Sequence, residues 1–123
     1  MSSAERLTLW IEQMGEAVGN ACGFIDGMDF AAFEGDKRTQ QAVDLNLLLI
    51  GEAAARSVES VPTFVAAHPE IPWASMRGMR NRIAHGYFEL DLKVVWDTVC
   101  RALPPLGEQL PGLMQAAGEF GAE

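Results

Sequence analysis

The chain has 123 residues, of which 49% are hydrophobic, a size and composition that suit one compact domain and leave no room for two. It carries 9 Lys and Arg residues against 17 Asp and Glu residues, so its net charge is -8 and its surface as a whole should repel polyanions. Any contact with nucleic acid must therefore be local.

The start of the chain lacks a charged segment followed by an apolar one, and no run of about 18 apolar residues occurs, so we expect neither export nor a membrane span. A soluble cytoplasmic protein follows from this. Cys22 and Cys100 belong to no C-x-x-C pair, and His68 and His85 form no H-x-x-x-H or H-E-x-x-H pattern. We therefore expect buried, reduced thiols, no metal site and no cofactor.

The first predicted helix runs from Ser3 to about Phe24, because apolar residues recur there at three- and four-residue steps with glutamates between them. A connector rich in glycine and aspartate, GFIDGMDFAAFEGD, follows it. Within the connector, Asp29 can cap one short turn that carries Phe30 and Phe33 into the core.

A long helix is predicted from Asp36 to about Glu59. One of its stripes is apolar and should face the core: Val43, Leu47, Ile50, Ala54 and Val58. A second apolar row lies at Leu45, Leu48 and Leu49. Two apolar rows indicate a helix packed on two sides, either at the centre of a bundle or where the bundle meets another subunit.

Prolines punctuate the next segment, at Pro62, Pro69 and Pro72. It should hold at most a short helix that ends before Pro69, since proline disfavours helix at its own position and at the residue before it. Pro72 suits the first turn of a new helix, which we expect to run to about Tyr87.

The last part of the chain is also predicted to be helical. Asp91 can cap a helix whose face carries Val94, Val95, Val99 and Ala102. The stretch LPPL at 103–106 breaks or restarts this helix, and a final amphipathic segment reaches about Gln115. The fold class is thus an all-α, up-and-down bundle of four to five helices, with one domain at 1–118 and a frayed tail at 119–123.

Positive charge is concentrated in residues 71–88, which contain Arg77, Arg80 and Arg82 but neither Asp nor Glu. A solvated face that happens to carry arginines is the plain alternative. However, a surface helix of an acidic protein normally includes glutamate as well. An arginine-only face suits an anion, because guanidinium groups offer forked donors to phosphate oxygens.

Helical geometry divides this segment into two faces. At roughly 100° per residue, Arg77, Asn81 and His85 share the side of Arg80, whereas the apolar side carries Met76, Met79, Ile83 and Tyr87. His85 can take and return a proton near neutral pH, Asn81 can orient it or the phosphate, and Arg80 can stabilise charge developing on phosphorus. Such a set suits metal-independent RNA cleavage by the 2′-hydroxyl, a reaction that DNA cannot undergo.

The string R-N-x-x-x-H-x-Y, formed by Arg80, Asn81, His85 and Tyr87, resembles the R-x-x-x-x-H motif of HEPN-domain ribonucleases, and with its tyrosine it looks like the HepT toxin branch. The similarity extends to three blocks: AVDLNLLLIGEAA at 42–54, HPEIPWASMRGMRNRIAHGYFELD at 68–91 and VVWDTV at 94–99. The resemblance implies a HEPN-like helical homodimer. Its two motif helices would meet across a two-fold axis and form one shared active cleft.

The same resemblance implies an endoribonuclease toxin whose catalytic residues are Arg80 and His85. Its partner would be an MntA-like nucleotidyltransferase antitoxin that neutralises it by attaching AMP to Tyr87, with a larger hetero-oligomer as a further option. Tyr87 could instead stack on a base or pack in the core. Alternatively, the protein is a non-catalytic dimer that serves as a binding platform or as the substrate of a nucleotidyltransferase. The net charge of -8 favours this alternative, because a ribonuclease usually profits from a wider positive field.

Several other side chains have more than one interpretation. Arg77 and Arg82 could bind RNA phosphates or form ion pairs between subunits. Glu52 could orient an arginine, or it could be solvated or cap a helix. His68, just before a proline, is better explained as a turn residue than as a catalyst. The tryptophans, Trp73 and Trp96, are most simply anchors of the core or of an interface.

Overall fold

The computed structural model describes residues 1–121, and helices arranged as an all-α bundle account for most of them, as predicted. The α-helices are α1 (Ser3–Phe24), α2 (Phe30–Glu34), α3 (Lys37–Ser60), α4 (Pro62–Ala66), α5 (Trp73–His85), α6 (Leu92–Asp97) and α7 (Leu103–Glu119). A 3-10 turn (Tyr87–Glu89) joins α5 to α6, and a π turn (Thr98–Ala102) joins α6 to α7. No strand occurs within residues 1–121.

Side-chain caps fix the starts of several helices. Ser2 and Glu5 form a reciprocal capping box at α1, in which each side chain accepts a hydrogen bond from the other residue's backbone N–H. Asp29 caps α2 and Asp91 caps α6, as predicted, and Asp36 caps α3. These contacts span two or three residues, so local sequence is sufficient to specify them.

Helix α3 lies at the centre of the bundle, between α1 and α5, while α1 also packs against α7. Its predicted core stripe is buried at Val43, Leu47 and Ile50. From α5, the apolar face contributes Met76, Met79 and Ile83, all of them buried. The apolar face predicted for the arginine-bearing helix is therefore confirmed for these residues.

Gly51 allows α3 and α5 to approach unusually closely. A β-carbon at this position would lie 2.3 Å from Cβ of Arg80 and 2.6 Å from the backbone oxygen of Met76, distances at which atoms overlap. Only a residue without a side chain fits between these backbones. Gly51 therefore sets the distance at which Arg80 meets the central helix.

Helix α5 ends at His85, two residues earlier than predicted. Gly86 adopts φ -149° and ψ 41°, outside the helical region, and its N–H donates to the backbone oxygen of Arg82. Glycine is a poor helix former because its backbone has the most freedom to lose. Tyr87 consequently begins the 3-10 turn and does not continue the apolar face of α5, which corrects the helical projection made from the sequence.

The C-terminal part is more continuous than the sequence suggests. The prolines of LPPL occupy the first turn of α7, where the missing N–H groups would be unbonded in any case, and the helix then continues to Glu119. The ring of Phe120 packs edge-on against Phe64, with ring centroids 5.6 Å apart. The tail predicted at 119–123 thus begins at the last residue of α7, and residues 122–123 lie outside the described part.

The two cysteines differ in their exposure. Both are free thiols; Cys22 is half-buried, whereas Cys100, in the π turn, is exposed. The expectation of two buried thiols is therefore wrong for Cys100. Burial raises the pKa of the Cys22 thiol, with a smaller contribution from the neighbouring Cys100.

Across residues 1–121, none of the helices combines the length and the apolar character needed to cross a membrane. Within the same residues, no group of three or more His, Cys, Asp and Glu side chains is placed to hold a metal ion.

Candidate active site

Arg80 is held in place by a carboxylate from the central helix. Its Nη1 donates to Oε1 of Glu52 at 2.7 Å, and the two side chains are 22% and 38% exposed, respectively. Its Nε is buried and has no hydrogen-bond partner among residues 1–121. Glu52, whose role the sequence left open, therefore contacts the arginine of the motif.

This ion pair has more effect on orientation than on stability. Exposed or half-exposed pairs typically contribute only about 0.2–1 kcal/mol, because water screens the charges and the side chains lose freedom. The geometry nevertheless restricts Arg80 from two directions: Gly51 lies against its Cβ, and Glu52 holds its guanidinium. The cation is thus anchored while about a fifth of its side chain stays open to solvent.

The other polar residues of the motif are free for an external partner. Asn81 and His85 are exposed, and neither side chain makes a hydrogen bond within residues 1–121. His85 lies in the last turn of α5, immediately before the chain leaves the helix. An unengaged imidazole is able to transfer protons, provided that a substrate comes within hydrogen-bond distance.

The three arginines of α5 differ in their surroundings. Arg77, one turn before Arg80, is half-buried. Arg82 is exposed and lines a groove formed with residues of the 3-10 turn and α6, among them Glu89 and Val94. It also lines a second groove, to which α3 contributes Leu47 and Ile50.

Tyr87 makes a contact that the sequence did not reveal. Its hydroxyl donates to Oδ2 of Asp44, on α3, at 2.8 Å. Asp44 is only 4% exposed, and its second oxygen, Oδ1, has no partner within residues 1–121, whereas Tyr87 as a whole is 37% exposed. Tyr87 is thus partly open to solvent, and its hydroxyl contacts a buried carboxylate.

Burial changes the acidity of both partners. Desolvation of its hydroxyl, reinforced by the hydrogen bond to Asp44 and the charge of Asp44, raises the pKa of Tyr87 to about 12. Desolvation also raises the pKa of Asp44, and the hydrogen bond from Tyr87 opposes this effect in part. The signal that could have identified Asp44 is a carboxylate placed one turn before Leu47 and Leu48, on a largely apolar part of α3.

The second apolar row of α3 is only partly covered. Leu48 packs against the core, but Leu45 and Leu49 are 55% and 45% exposed. Leu49 also lines a groove between α1 and α3 together with Leu9 and Glu52. Partly exposed apolar surface therefore lies beside the carboxylate that holds Arg80.

Known proteins are similar to this chain over most of its length. The family described as "Ribonuclease HepT-like" matches residues 14–112, which include all of α3 and α5. This chain belongs to the HepT-like ribonuclease family. No solved structure matches the chain.

Named relatives of this HepT-like chain are ribonucleases by description. It is 39% identical over 98 residues to a probable ribonuclease HepT of Thermococcus cleftensis. The matched region covers 79% of this chain and 86% of that protein. It is 36% identical over 81 residues to a putative RNase of Methanocaldococcus jannaschii, covering 66% and 64%. A putative RNase of Caldanaerobacter subterraneus is 30% identical over 92 residues, covering 74% and 79%. Family membership therefore supports an RNase function.

Proposed function

We propose that this chain is a metal-independent endoribonuclease toxin, with Arg80 and His85 as its catalytic residues. The observation that carries the proposal is the pairing of an anchored cation with a free histidine on the last turns of α5. Arg80 is held at 2.7 Å by Glu52, and His85 is exposed and unengaged. The family to which the chain belongs supports the same activity.

The proposed reaction uses groups that RNA and the chain supply. His85 removes the proton of the ribose 2′-hydroxyl, whose oxygen attacks the adjacent phosphorus. The 5′-oxygen leaves with a proton from a second acid, and a 2′,3′-cyclic phosphate results. Arg80 stabilises the charge that develops on the phosphate oxygens, and Asn81 positions the phosphate or the imidazole. Arg77 and Arg82 bind flanking phosphates or pair across subunits.

Two identical chains would complete this site. Cleavage needs one base and one acid, and each chain offers a single motif histidine, so a homodimer supplies both from its two copies of His85. Leu45 and Leu49, exposed beside Glu52, provide apolar surface that a second copy would cover. RNA would then bind in the shared cleft, where two copies of Arg80 offset the net negative charge of the chain.

Tyr87 is the proposed site of neutralisation. An MntA-like nucleotidyltransferase antitoxin would attach AMP to its hydroxyl, in a dimer or in a larger complex with the toxin. Tyr87 is 37% exposed and lies two residues after His85, so the added nucleotide would stand beside the cleft. Its bulk and negative charge would block RNA sterically and occupy cationic groups.

RNA cleavage in the presence of a chelator tests the catalytic proposal. Wild-type protein in EDTA should cut total RNA and leave 2′,3′-cyclic phosphate ends, and Arg80→Ala or His85→Ala should reduce the rate by at least about 100-fold. Arg101→Ala and His68→Ala, which change the same residue types elsewhere, should cut like wild type. Equal cleavage by all four variants would contradict the assigned roles. No cleavage by any protein would favour the non-catalytic platform.

Intact mass spectrometry tests the proposed modification. Wild-type protein incubated with ATP and an MntA-like nucleotidyltransferase should gain the mass of AMP and lose RNA cleavage. Tyr87→Phe should gain no mass and should continue to cut RNA in the same mixture. The chain has only 1 tyrosine, so a tyrosine-linked product can arise at no other position.

A further inference from the structure

We infer that Asp44 is the base that activates the Tyr87 hydroxyl for nucleotidyl transfer, so that this chain supplies part of the chemistry of its own modification. The inference rests on the proposed modification of Tyr87. It concerns a residue of the central helix that is no part of the RNA-cleaving site.

The geometry is that of a nucleophile and its base. Oη of Tyr87 lies 2.8 Å from Oδ2 of Asp44, within the distance at which a proton passes directly between two oxygens. The phenolic proton points towards the carboxylate, which leaves the lone pairs of the oxygen free for attack. Since Tyr87 as a whole is 37% exposed, an electrophile can approach it from solvent.

A hydrogen bond that only holds Tyr87 in place would not require a carboxylate. Asparagine could accept the same hydrogen bond without the cost of burying a charge. Asp44 is 4% exposed and makes no salt bridge within residues 1–121, so that cost is not offset by a cation. What the carboxylate adds to the hydrogen bond is the ability to accept a proton.

The transfer step is balanced with Asp44 as the proton acceptor. Oη of Tyr87 forms a bond to the α-phosphorus of a nucleoside triphosphate held by the transferase. The bond from that phosphorus to the bridging oxygen breaks, and pyrophosphate leaves with the electron pair. The phenolic proton passes to Oδ2 of Asp44. The products are adenylylated Tyr87, neutral Asp44 and pyrophosphate.

The acidity of Tyr87 explains why its hydroxyl needs a base. With a pKa of about 12, Tyr87 has only about one hydroxyl in 100,000 ionised at pH 7, so attack without a base would be slow. Burial raises the pKa of Asp44, so its carboxylate is a stronger base than that of an exposed aspartate.

The test compares wild type, Asp44→Asn and Asp44→Ala in two reactions. In the first, an MntA-like nucleotidyltransferase and ATP modify the chain, and intact mass measures the rate of AMP gain. In the second, an aryl sulfonyl fluoride labels the chain without any enzyme, and peptide mapping measures the rate at Tyr87. The sulfonyl fluoride replaces fluoride by the phenolic oxygen, so it also requires removal of the proton.

We expect both substitutions to slow AMP transfer by about 100-fold, the usual lower contribution of a general base, and to slow labelling in parallel. Asparagine keeps the hydrogen bond, so an Asp44→Asn rate close to wild type with a slow Asp44→Ala would show a positioning role and overturn the inference. RNA cleavage by Asp44→Asn should equal that of wild type, which shows that the fold is intact. Asp26→Asn, at an exposed aspartate of the connector, is the matched control.

The two reactions separate this inference from the proposed modification. If wild type gains no AMP from the transferase, the modification of Tyr87 is refuted. If labelling in that case still depends on Asp44, the activation of the hydroxyl stands without that partner. If AMP transfer occurs and neither reaction depends on Asp44, the modification stands and the inference about Asp44 is overturned.

Discussion

Two carboxylates on the same helix of this protein have opposite surroundings. Glu52 is near the surface of α3, with a side chain that is 38% exposed, and it pairs with the cation of Arg80. Asp44, two turns earlier, is 4% exposed, and within residues 1–121 its side chain accepts a hydrogen bond only from the neutral hydroxyl of Tyr87. The comparison teaches that burial and the charge of the partner, and not the chemical group, decide what a carboxylate can do.

Each environment suits one task. Glu52 keeps its charge in contact with water and with an arginine, so it serves to orient that arginine. Asp44 has lost its water and gained no cation, so proton uptake costs it little. The two contacts also join the same pair of segments, since one holds the middle of α5 and the other holds the 3-10 turn after it. Substitutions can therefore separate the two contacts.

The largest expected effect comes from Gly51→Ala, which should disrupt the contact between Glu52 and Arg80. The added methyl group would overlap Cβ of Arg80 and the backbone of Met76, so α3 and α5 must move apart. We expect the free energy of unfolding to fall by about 2–3 kcal/mol, as in other overpacked cores. Urea denaturation followed by circular dichroism measures this change.

Gly19→Ala provides the control for that measurement. Gly19 lies within α1, and nothing approaches within 4 Å of the position that its β-carbon would take. There, alanine should leave the stability unchanged or raise it by up to about 1 kcal/mol, because alanine is the better helix former. If the two variants were equally stable, the close contact between α3 and α5 would be refuted.

An intermediate effect is expected from Glu52→Gln, which removes the charge that orients Arg80 but keeps the size of the side chain. RNA cleavage should fall by about tenfold in kcat/KM, which corresponds to about 1.4 kcal/mol of transition-state stabilisation. The stability should hardly change, since the pair is partly exposed. Glu59→Gln, an exposed glutamate later on the same helix, should cut RNA at the wild-type rate. Unchanged RNA cleavage by Glu52→Gln would show that the charge of Glu52 does not orient Arg80.

The smallest effect is expected from Asp44→Asn, measured as unfolding free energy against pH. Burial raises the pKa of Asp44 in the folded state above its ordinary value of 3.8, so ionisation costs the folded state more than the unfolded state. The stability that protonated Asp44 contributes to the folded state is fully present below pH 3.8, and it is lost as the pH rises through the folded pKa. Asparagine cannot ionise, so the variant should gain stability relative to wild type over that pH range. A difference that does not change with pH would show that the folded protein leaves the acidity of Asp44 unaltered.

Local sequence determined much of the helical structure. Capping by Asp29 and Asp91, the apolar face of α5 and the extent of α1 depend on residues a few positions apart, and all were predictable. The motif that contains Arg80 and His85 was also visible as a pattern of residue types. Whether these two residues catalyse RNA cleavage stays a prediction, because their roles depend on a substrate and a second subunit.

Only the tertiary structure decided which side chains meet. Glu52 and Arg80 are 28 residues apart, and Asp44 and Tyr87 are 43 apart, so no local pattern could pair them. Both contacts depend on how closely α3 approaches α5, which Gly51 sets, and on the end of α5 at His85, which turns Tyr87 away from the helix. Periodicity shows which face of a helix is apolar, but the contacts between two helices follow from their packing distance and from where each helix ends.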